Sequence, residues 1–154
     1  DVPFFLFAPS AIVEGRGEQV APVRIKGSRW VVLVNPGFPV ETKWAYQQLS
    51  ISRTEVRPLS EAHAALGKTS ALSWESVLHV AENDFETAVF KTHPALHRIK
   101  RKLLAEGAEA ALLSGSGATV FGVFRDETAA RQAQASFQTE PHLKVYAVST
   151  PSDF

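Results

Sequence analysis

The sequence feature that most constrains the fold is a pair of apolar runs joined by a loop of small residues. Residues 110–113 (Ala-Ala-Leu-Leu) and 119–124 (Thr-Val-Phe-Gly-Val-Phe) flank Ser114-Gly115-Ser116-Gly117. Short apolar runs rich in branched and aromatic residues and bounded by glycine and serine are typical of buried strands. We therefore predict two neighbouring core strands joined by a tight loop.

A third apolar run, Trp30–Val34, is continuous and β-branched, which predicts a strand buried on both faces of a sheet. A helix is predicted at Glu41–Leu49, and an alternating run at Leu143–Val148 predicts the last strand. Further helices are predicted at Ser73–Val80, from Asn83, from Pro94 to Gly107, and at Asp126–Phe137. This order predicts an α+β fold, a ferredoxin-like split β-α-β layout with inserted helices.

The segments outside this layout are less regular. Ala11–Val13 and Gln19–Ile25 flank a glycine turn and predict a hairpin. The polar stretch Lys26-Gly27-Ser28 that follows predicts a domain boundary. Residues 51–72 lack a sustained period and predict an irregular segment, functional or mobile because of its length.

Composition limits the classes of function. Sixteen Lys and Arg residues balance sixteen Asp and Glu residues, so no overall field draws the chain to nucleic acid or to a membrane surface. No apolar run is long enough to span a bilayer. The absence of cysteine excludes a disulfide framework and a cysteine nucleophile, and a cytoplasmic location is compatible with it. Methionine is absent even at position 1, so we interpret the chain as a fragment or a processed product.

The loop at 114–117 is the first candidate site. Its small residues leave backbone N–H groups unshielded, and such groups can cradle an anion. The loop lacks the lysine and the following helix of a Walker phosphate loop. On spacing alone a plain turn between two core strands is the commoner explanation, so both interpretations stay open at this point.

Four segments in a fixed order carry a resemblance to a known family. They are Asp1-Val2-Pro3-Phe4-Phe5-Leu6, Val34-Asn35-Pro36-Gly37, Asn83-Asp84-Phe85-Glu86, and residues 114–121 with Gly107-Ala108 leading in. Together they resemble the small-molecule kinases of the galactokinase, homoserine kinase, mevalonate kinase and phosphomevalonate kinase group. The resemblance covers nearly the whole chain, but only the second half of such an enzyme.

The resemblance implies a phosphotransferase with an alcohol acceptor that uses ATP and Mg²⁺. The most similar members act on a cytidyl diphosphate substrate in non-mevalonate isoprenoid biosynthesis. Residues 1–28 would end the N-terminal nucleotide-binding domain, and residues 29–154 would form the C-terminal kinase domain. The expected partner is the upstream half of the same enzyme, without which the fragment is expected to be inactive.

The resemblance also implies roles for individual residues. Asp1 would orient or deprotonate the acceptor hydroxyl, Tyr46 would stack on cytosine, and Thr42 would lie near the acceptor. Glu41 departs from the small residue that the family usually has at its position. The loop beside the transferred phosphate would consist of Ser114, Gly115, Ser116, Gly117, Ala118 and Thr119.

Several of these residues have a purely structural explanation. Tyr46 and Trp44 are spaced like core aromatics of a helix, which we prefer for Trp44. Asn83 and Glu86 are spaced as a capping box, which would explain both without chemistry. His93 and His97 have no acidic or cysteine ligand nearby, so no metal site is predicted.

Other functions also stay open. A sister kinase acting on mevalonate, homoserine or a sugar is the nearest alternative. A non-catalytic ligand-binding module is another, because split β-α-β layouts often serve as regulatory domains. Nucleic-acid binding is the weakest alternative, because the net charge is zero.

Overall fold

The computed structural model describes residues 10–52, 60–69 and 71–150. The described residues form two compact units. The first unit contains residues 10–28, 60–69 and 71–80, and the second contains residues 29–52 and 81–150. The predicted division into residues 1–28 and 29–154 concerns the domains of a longer enzyme and stays a prediction.

The described residues form eight strands and six helices. The strands are β1 (Ala11–Glu14), β2 (Gln19–Pro22), β3 (Arg24–Lys26), β4 (Trp30–Asn35), β5 (Ala71–Ser73), β6 (Ala110–Leu113), β7 (Val120–Phe124) and β8 (Lys144–Ser149). The helices are α1 (Thr42–Ser52), α2 (Glu61–Leu66), α3 (Trp74–His79), α4 (Glu86–Thr92), α5 (Pro94–Ala105) and α6 (Glu127–Phe137). None of these helices is both long and apolar enough to cross a membrane.

The second unit is built on a four-stranded antiparallel sheet with the spatial order β6-β7-β4-β8. Val32 at the middle of β4 pairs with Gly122 of β7 on one side and with Ala147 of β8 on the other. The first strand of the unit therefore lies between the third and the fourth, which is the ferredoxin-like arrangement. The predicted α+β fold, with helices α1 and α4 inserted before the crossover helix, is confirmed.

Two helices cover the sheet and enclose the core. α5 packs over β6 and β7, and α6 packs over β4 and β8. Each helix buries a stripe with helical spacing, and the buried residues are Leu96, Ile99, Leu103, Ala130, Ala133 and Phe137. In β4 only Val32 and Val34 are fully buried, while Val31 and Leu33 are half-buried. The prediction that β4 is buried on both faces is therefore wrong for the described residues.

The first unit is a set of short elements. β1 and β2 form the predicted hairpin, with Ile12 opposite Ala21. β3 leaves this hairpin and pairs in parallel with β5, with Ile25 opposite Leu72. The prediction that residues 51–72 are irregular is wrong at three places: residues 51–52 end α1, residues 61–66 form α2, and residues 71–72 belong to β5. The side chain of Ser60 caps this helix by accepting a hydrogen bond from the N–H of His63.

Candidate functional site

The loop between β6 and β7 is shaped by its two glycines. Gly115 and Gly117 have φ angles of +54° and +99°, a backbone region that residues with a Cβ atom enter only at a cost. The N–H of Ser114 donates to the carbonyl of Thr119 at 2.8 Å, and the N–H of Gly117 donates to the carbonyl of Ser114 at 2.9 Å. The loop is therefore closed by its own main chain.

Two N–H groups of this loop are open. No described residue supplies an acceptor for the N–H of Gly115 or of Ser116. Both residues lie at the turn of the loop, and their side chains are a hydrogen atom and a hydroxymethyl group. Adjacent N–H donors with small side chains can bind an anion such as a phosphate. The loop geometry is compatible with the anion-binding interpretation, which stays a prediction.

Packing also disfavours a side chain at Gly117. A Cβ atom on Gly117 would lie 3.1 Å from Cδ1 of Leu113 and 3.5 Å from Cγ2 of Val40. Both neighbours are buried core residues. A side chain at this position would therefore require Leu113 to shift by a few tenths of an ångström, in addition to the backbone cost of the positive φ angle.

Asn83 does not cap a helix as predicted. α4 begins at Glu86 and has no side-chain cap. The amide nitrogen of Asn83 donates to the carbonyls of Leu113 and Gly115, both at 2.8 Å. Its oxygen accepts from the N–H of Phe85 at 2.9 Å. The predicted capping box is wrong, because Asn83 binds the glycine loop instead.

Glu86 also binds the strand that leads into the loop. One carboxylate oxygen accepts from the N–H of Leu113 at 2.9 Å. The other oxygen accepts from the ammonium group of Lys100 at 2.5 Å. Glu86 is 16% exposed and Lys100 is 22% exposed, so solvent screens this ion pair less than it would a surface pair. Glu86 therefore does not reach back to Asn83, as the predicted capping box requires.

Two other side chains hold the opposite end of the loop. The amide nitrogen of Asn35 donates to the hydroxyl of Thr119 at 3.0 Å. The hydroxyls of Thr42 and Ser116 lie 3.1 Å apart and share a hydrogen bond. The structure thus brings Thr42, at the start of α1, to the predicted loop.

Tyr46 lies one turn of α1 after Thr42, and residues at this spacing share a face of a helix. Its ring meets the ring of Phe85 edge to face, with the centroids 4.9 Å apart. Tyr46 is nevertheless 61% exposed, which contradicts its interpretation as a core aromatic. By contrast Trp44 is half-buried and packs edge-on against His93, as we preferred for it. Tyr46 is therefore a supported but accessible ring.

Asp1 and the two histidines considered as metal ligands are not among the residues that the structure shows at this site. Asp1 lies outside the described residues. The rings of His93 and His97 stack on Phe38 and Phe90, respectively. Within the described ranges, no group of three or more His, Cys, Asp or Glu side chains could hold a metal ion.

Comparison with known proteins identifies the family. The family model for GHMP kinases C terminal matches residues 57–142, more than half of the 154 residues. The chain belongs to the GHMP kinases. The resemblance inferred from the sequence motifs is thereby confirmed, and the matched GHMP kinase region includes Asn83, Glu86 and the whole glycine loop.

Two curated relatives of the chain share one name. A 4-diphosphocytidyl-2-C-methyl-D-erythritol kinase of Thermodesulfovibrio yellowstonii is 39% identical in an alignment of 147 positions that covers 90% of this chain and 49% of that protein. The enzyme of the same name in Pelobacter propionicus is 41% identical over 136 residues, 88% of this chain and 46% of that protein. The chain spans about half the length of these relatives.

Solved GHMP kinase structures share the fold. A 4-(cytidine 5'-diphospho)-2C-methyl-D-erythritol kinase superposes with a TM-score of 0.68 at 25% identity, covering 98% of this chain and 54% of that one. Homoserine kinase from Cytophaga hutchinsonii superposes with a TM-score of 0.61 at 18% identity, covering 88% of this chain and 45% of that one. The second similarity concerns the fold alone.

Sequence reasoning missed Asn35, Asn83 and Glu86 as residues of this site. The three lie in segments that carried the family resemblance, yet their side chains were not assigned to the loop. Their partners lie between 27 and 84 residues away along the chain. A local motif could not indicate such bonds; only the strand order of the fold brings the partners together.

Proposed function

We propose that the chain is the C-terminal part of a 4-diphosphocytidyl-2-C-methyl-D-erythritol kinase, which transfers the γ-phosphate of ATP to the 2-hydroxyl of its acceptor. The observation that carries the proposal is the name shared by relatives about 40% identical over most of the chain. In this proposal residues 1–28 end the nucleotide-binding domain, residues 29–154 belong to the C-terminal kinase domain, and the upstream half completes the enzyme. Its location is cytoplasmic.

The loop geometry supports a role in phosphoryl transfer. Catalysis of this reaction depends on positioning and on stabilising the charge on the phosphoryl oxygens. The open N–H groups of Gly115 and Ser116 would donate to those oxygens, and the shared hydrogen bond of Thr42 with Ser116 would keep the acceptor side close to them. The role of Asp1, to orient or deprotonate the acceptor hydroxyl, rests on its motif alone.

ATP and Mg²⁺ belong to the same proposal. The described residues around the loop offer N–H and hydroxyl donors, which fit phosphate oxygens. Mg²⁺ would be bound with ATP, whose phosphate charge it neutralises.

An acceptor panel tests the proposal. The protein assayed is the chain extended upstream to its own initiation codon, here called the extended protein. ATP consumption is measured with 4-diphosphocytidyl-2-C-methyl-D-erythritol, mevalonate, homoserine and galactose as separate acceptors. We expect turnover with the cytidyl acceptor. Turnover with another acceptor only would assign the chain to a sister kinase, and folded protein that neither binds ATP nor turns over any acceptor would favour a non-catalytic module.

Tyr46→Ala is expected to raise the KM for the cytidyl acceptor about 10–100-fold, since stacking a base on an aromatic ring contributes about 1–3 kcal/mol. Tyr46→Phe keeps the ring and should stay close to wild type. Tyr146, which is 57% exposed on β8, provides the matched control as Tyr146→Ala. The KM values are measured by steady-state kinetics in which the acceptor concentration is varied. Equal KM values for Tyr46→Ala and wild type would show that Tyr46 does not bind the acceptor.

A further inference from the structure

The segment Asn83–Glu86 contacts both parts of the candidate site. Asn83 uses both amide hydrogens on the carbonyls of Leu113 and Gly115. Glu86 accepts the N–H of Leu113, and Phe85, between them, supports the ring of Tyr46. One short stretch therefore touches the loop and the accessible aromatic ring.

The direction of these hydrogen bonds matters for the loop. Asn83 binds carbonyl oxygens of the loop and of the strand before it, and it leaves the N–H groups of Gly115 and Ser116 without a described partner. A loop with two glycines has many backbone conformations, and fixing each residue costs about 1–2 kcal/mol. Bonds to the carbonyls reduce this freedom before a ligand arrives, while the donors stay available to it.

We infer that Asn83 and Glu86 are positioning residues that hold the main chain of the loop in its phosphate-binding conformation. The inference rests on the proposed function, because it assigns the task of the loop to phosphate. Lys100 is part of the arrangement, since its ammonium group pairs with the second oxygen of Glu86. Neither Asn83 nor Glu86 needs to touch the substrate for this role.

A purely local role for Asn83 makes a different prediction. The oxygen of Asn83 accepts the N–H of Phe85, and this bond alone would arrange the turn before α4. Aspartate serves such a turn or cap about as well as asparagine. Asn83→Asp keeps that oxygen but replaces the amide donor by a second oxygen, which would face two carbonyl oxygens. This substitution therefore separates the two roles.

The first readout is activity of the extended protein. We expect Asn83→Asp and Asn83→Ala each to lower kcat about 30–100-fold, with the KM for ATP changed less than about 3-fold, since small misplacements of binding groups act mainly on the transition state. The control is Asp126→Ala, which removes the cap of α6 and should leave kcat unchanged. Wild-type kcat in Asn83→Asp would overturn the inference and leave Asn83 a local role.

The second readout does not depend on activity. The amides of Ser114 and Gly117 are hydrogen-bonded within the loop, and their hydrogen exchange reports local opening. We expect exchange at both amides to be about 10-fold faster in Asn83→Asp and unchanged in Asp126→Ala. If the wild type turned over none of the acceptors, the proposed function would fail, but faster exchange in Asn83→Asp would still show that Asn83 fixes the main chain of the loop. Unchanged exchange in Asn83→Asp would overturn that role of Asn83, whatever the activity.

Discussion

In the extended protein, Asp1→Asn is expected to lower kcat for the cytidyl acceptor about 10²–10⁴-fold, the range that a positioned acid–base group contributes. An alcohol is a weak nucleophile, and a carboxylate beside it can take the proton as the bond to phosphorus forms. Asparagine has nearly the same shape and can still accept a hydrogen bond, but it cannot act as the base. The KM for the acceptor should therefore change much less than kcat.

The control for Asp1 is a carboxylate with a purely structural task. Asp126 accepts the N–H of Ala129 at the start of α6, and asparagine caps helices about as well as aspartate. Asp126→Asn should therefore keep both activity and stability. Single-turnover kinetics of the two variants beside wild type measure the chemical step directly. An Asp1→Asn variant within about 3-fold of wild type would exclude a role for Asp1 as the general base.

Gly117→Ala is expected to lower kcat at least about 100-fold, because a shift of about 1 Å in a binding group can cost that much. Position 117 has a φ angle of +99°, and an added Cβ atom would press on Leu113 at 3.1 Å. Leu113 carries both the N–H that Glu86 binds and one of the carbonyls that Asn83 binds. A shift of Leu113 that relieves this contact is therefore expected to disturb the bonds to Asn83 and Glu86 that anchor the loop.

Gly107 provides a matched control for Gly117. Its φ angle of +94° is similar, and a Cβ atom at Gly107 would meet nothing within 4 Å. Both Ala variants carry the backbone cost of a positive φ angle, about 1–2 kcal/mol, which denaturant unfolding measures. Both variants should therefore lose a similar amount of stability, but only Gly117→Ala should lose activity. Equal activity in the two variants would mean that the shape of the loop does not matter for turnover.

The second unit of the fold could be predicted from the sequence because its signals are local and strong. β6, β7 and α6 follow one another as an apolar run, a second apolar run, and an alanine-rich helix that Asp126 caps. Such patterns fix the type of each element, and a split β-α-β order then leaves few ways to pair the strands. In the first unit, α2 was missed because Leu66 is its only large apolar residue, whereas Trp74, Val77 and Leu78 of the equally short α3 mark one helical face.

The site was only partly predictable, for a physical reason. Thr42 and Tyr46 were placed by family resemblance, but the bond of Thr42 to Ser116 joins residues 74 positions apart. Asn83 fits a helix-capping pattern just as well as a contact with a distant loop, and sequence spacing favours the local explanation. In the structure Asn83 instead donates to the carbonyls of Leu113 and Gly115, which need hydrogen-bond donors at the end of β6 and in the loop after it.

The most direct test of the central claim is ³¹P NMR of the extended protein turning over ATP and 4-diphosphocytidyl-2-C-methyl-D-erythritol. We expect ADP to appear together with one new phosphomonoester resonance, coupled to the carbon that bears the 2-hydroxyl. The same resonance should fail to appear within the same time in Gly117→Ala. ADP without a new phosphate ester, or unchanged ATP in a folded protein that binds it, would contradict the proposal that this chain belongs to a kinase for that acceptor.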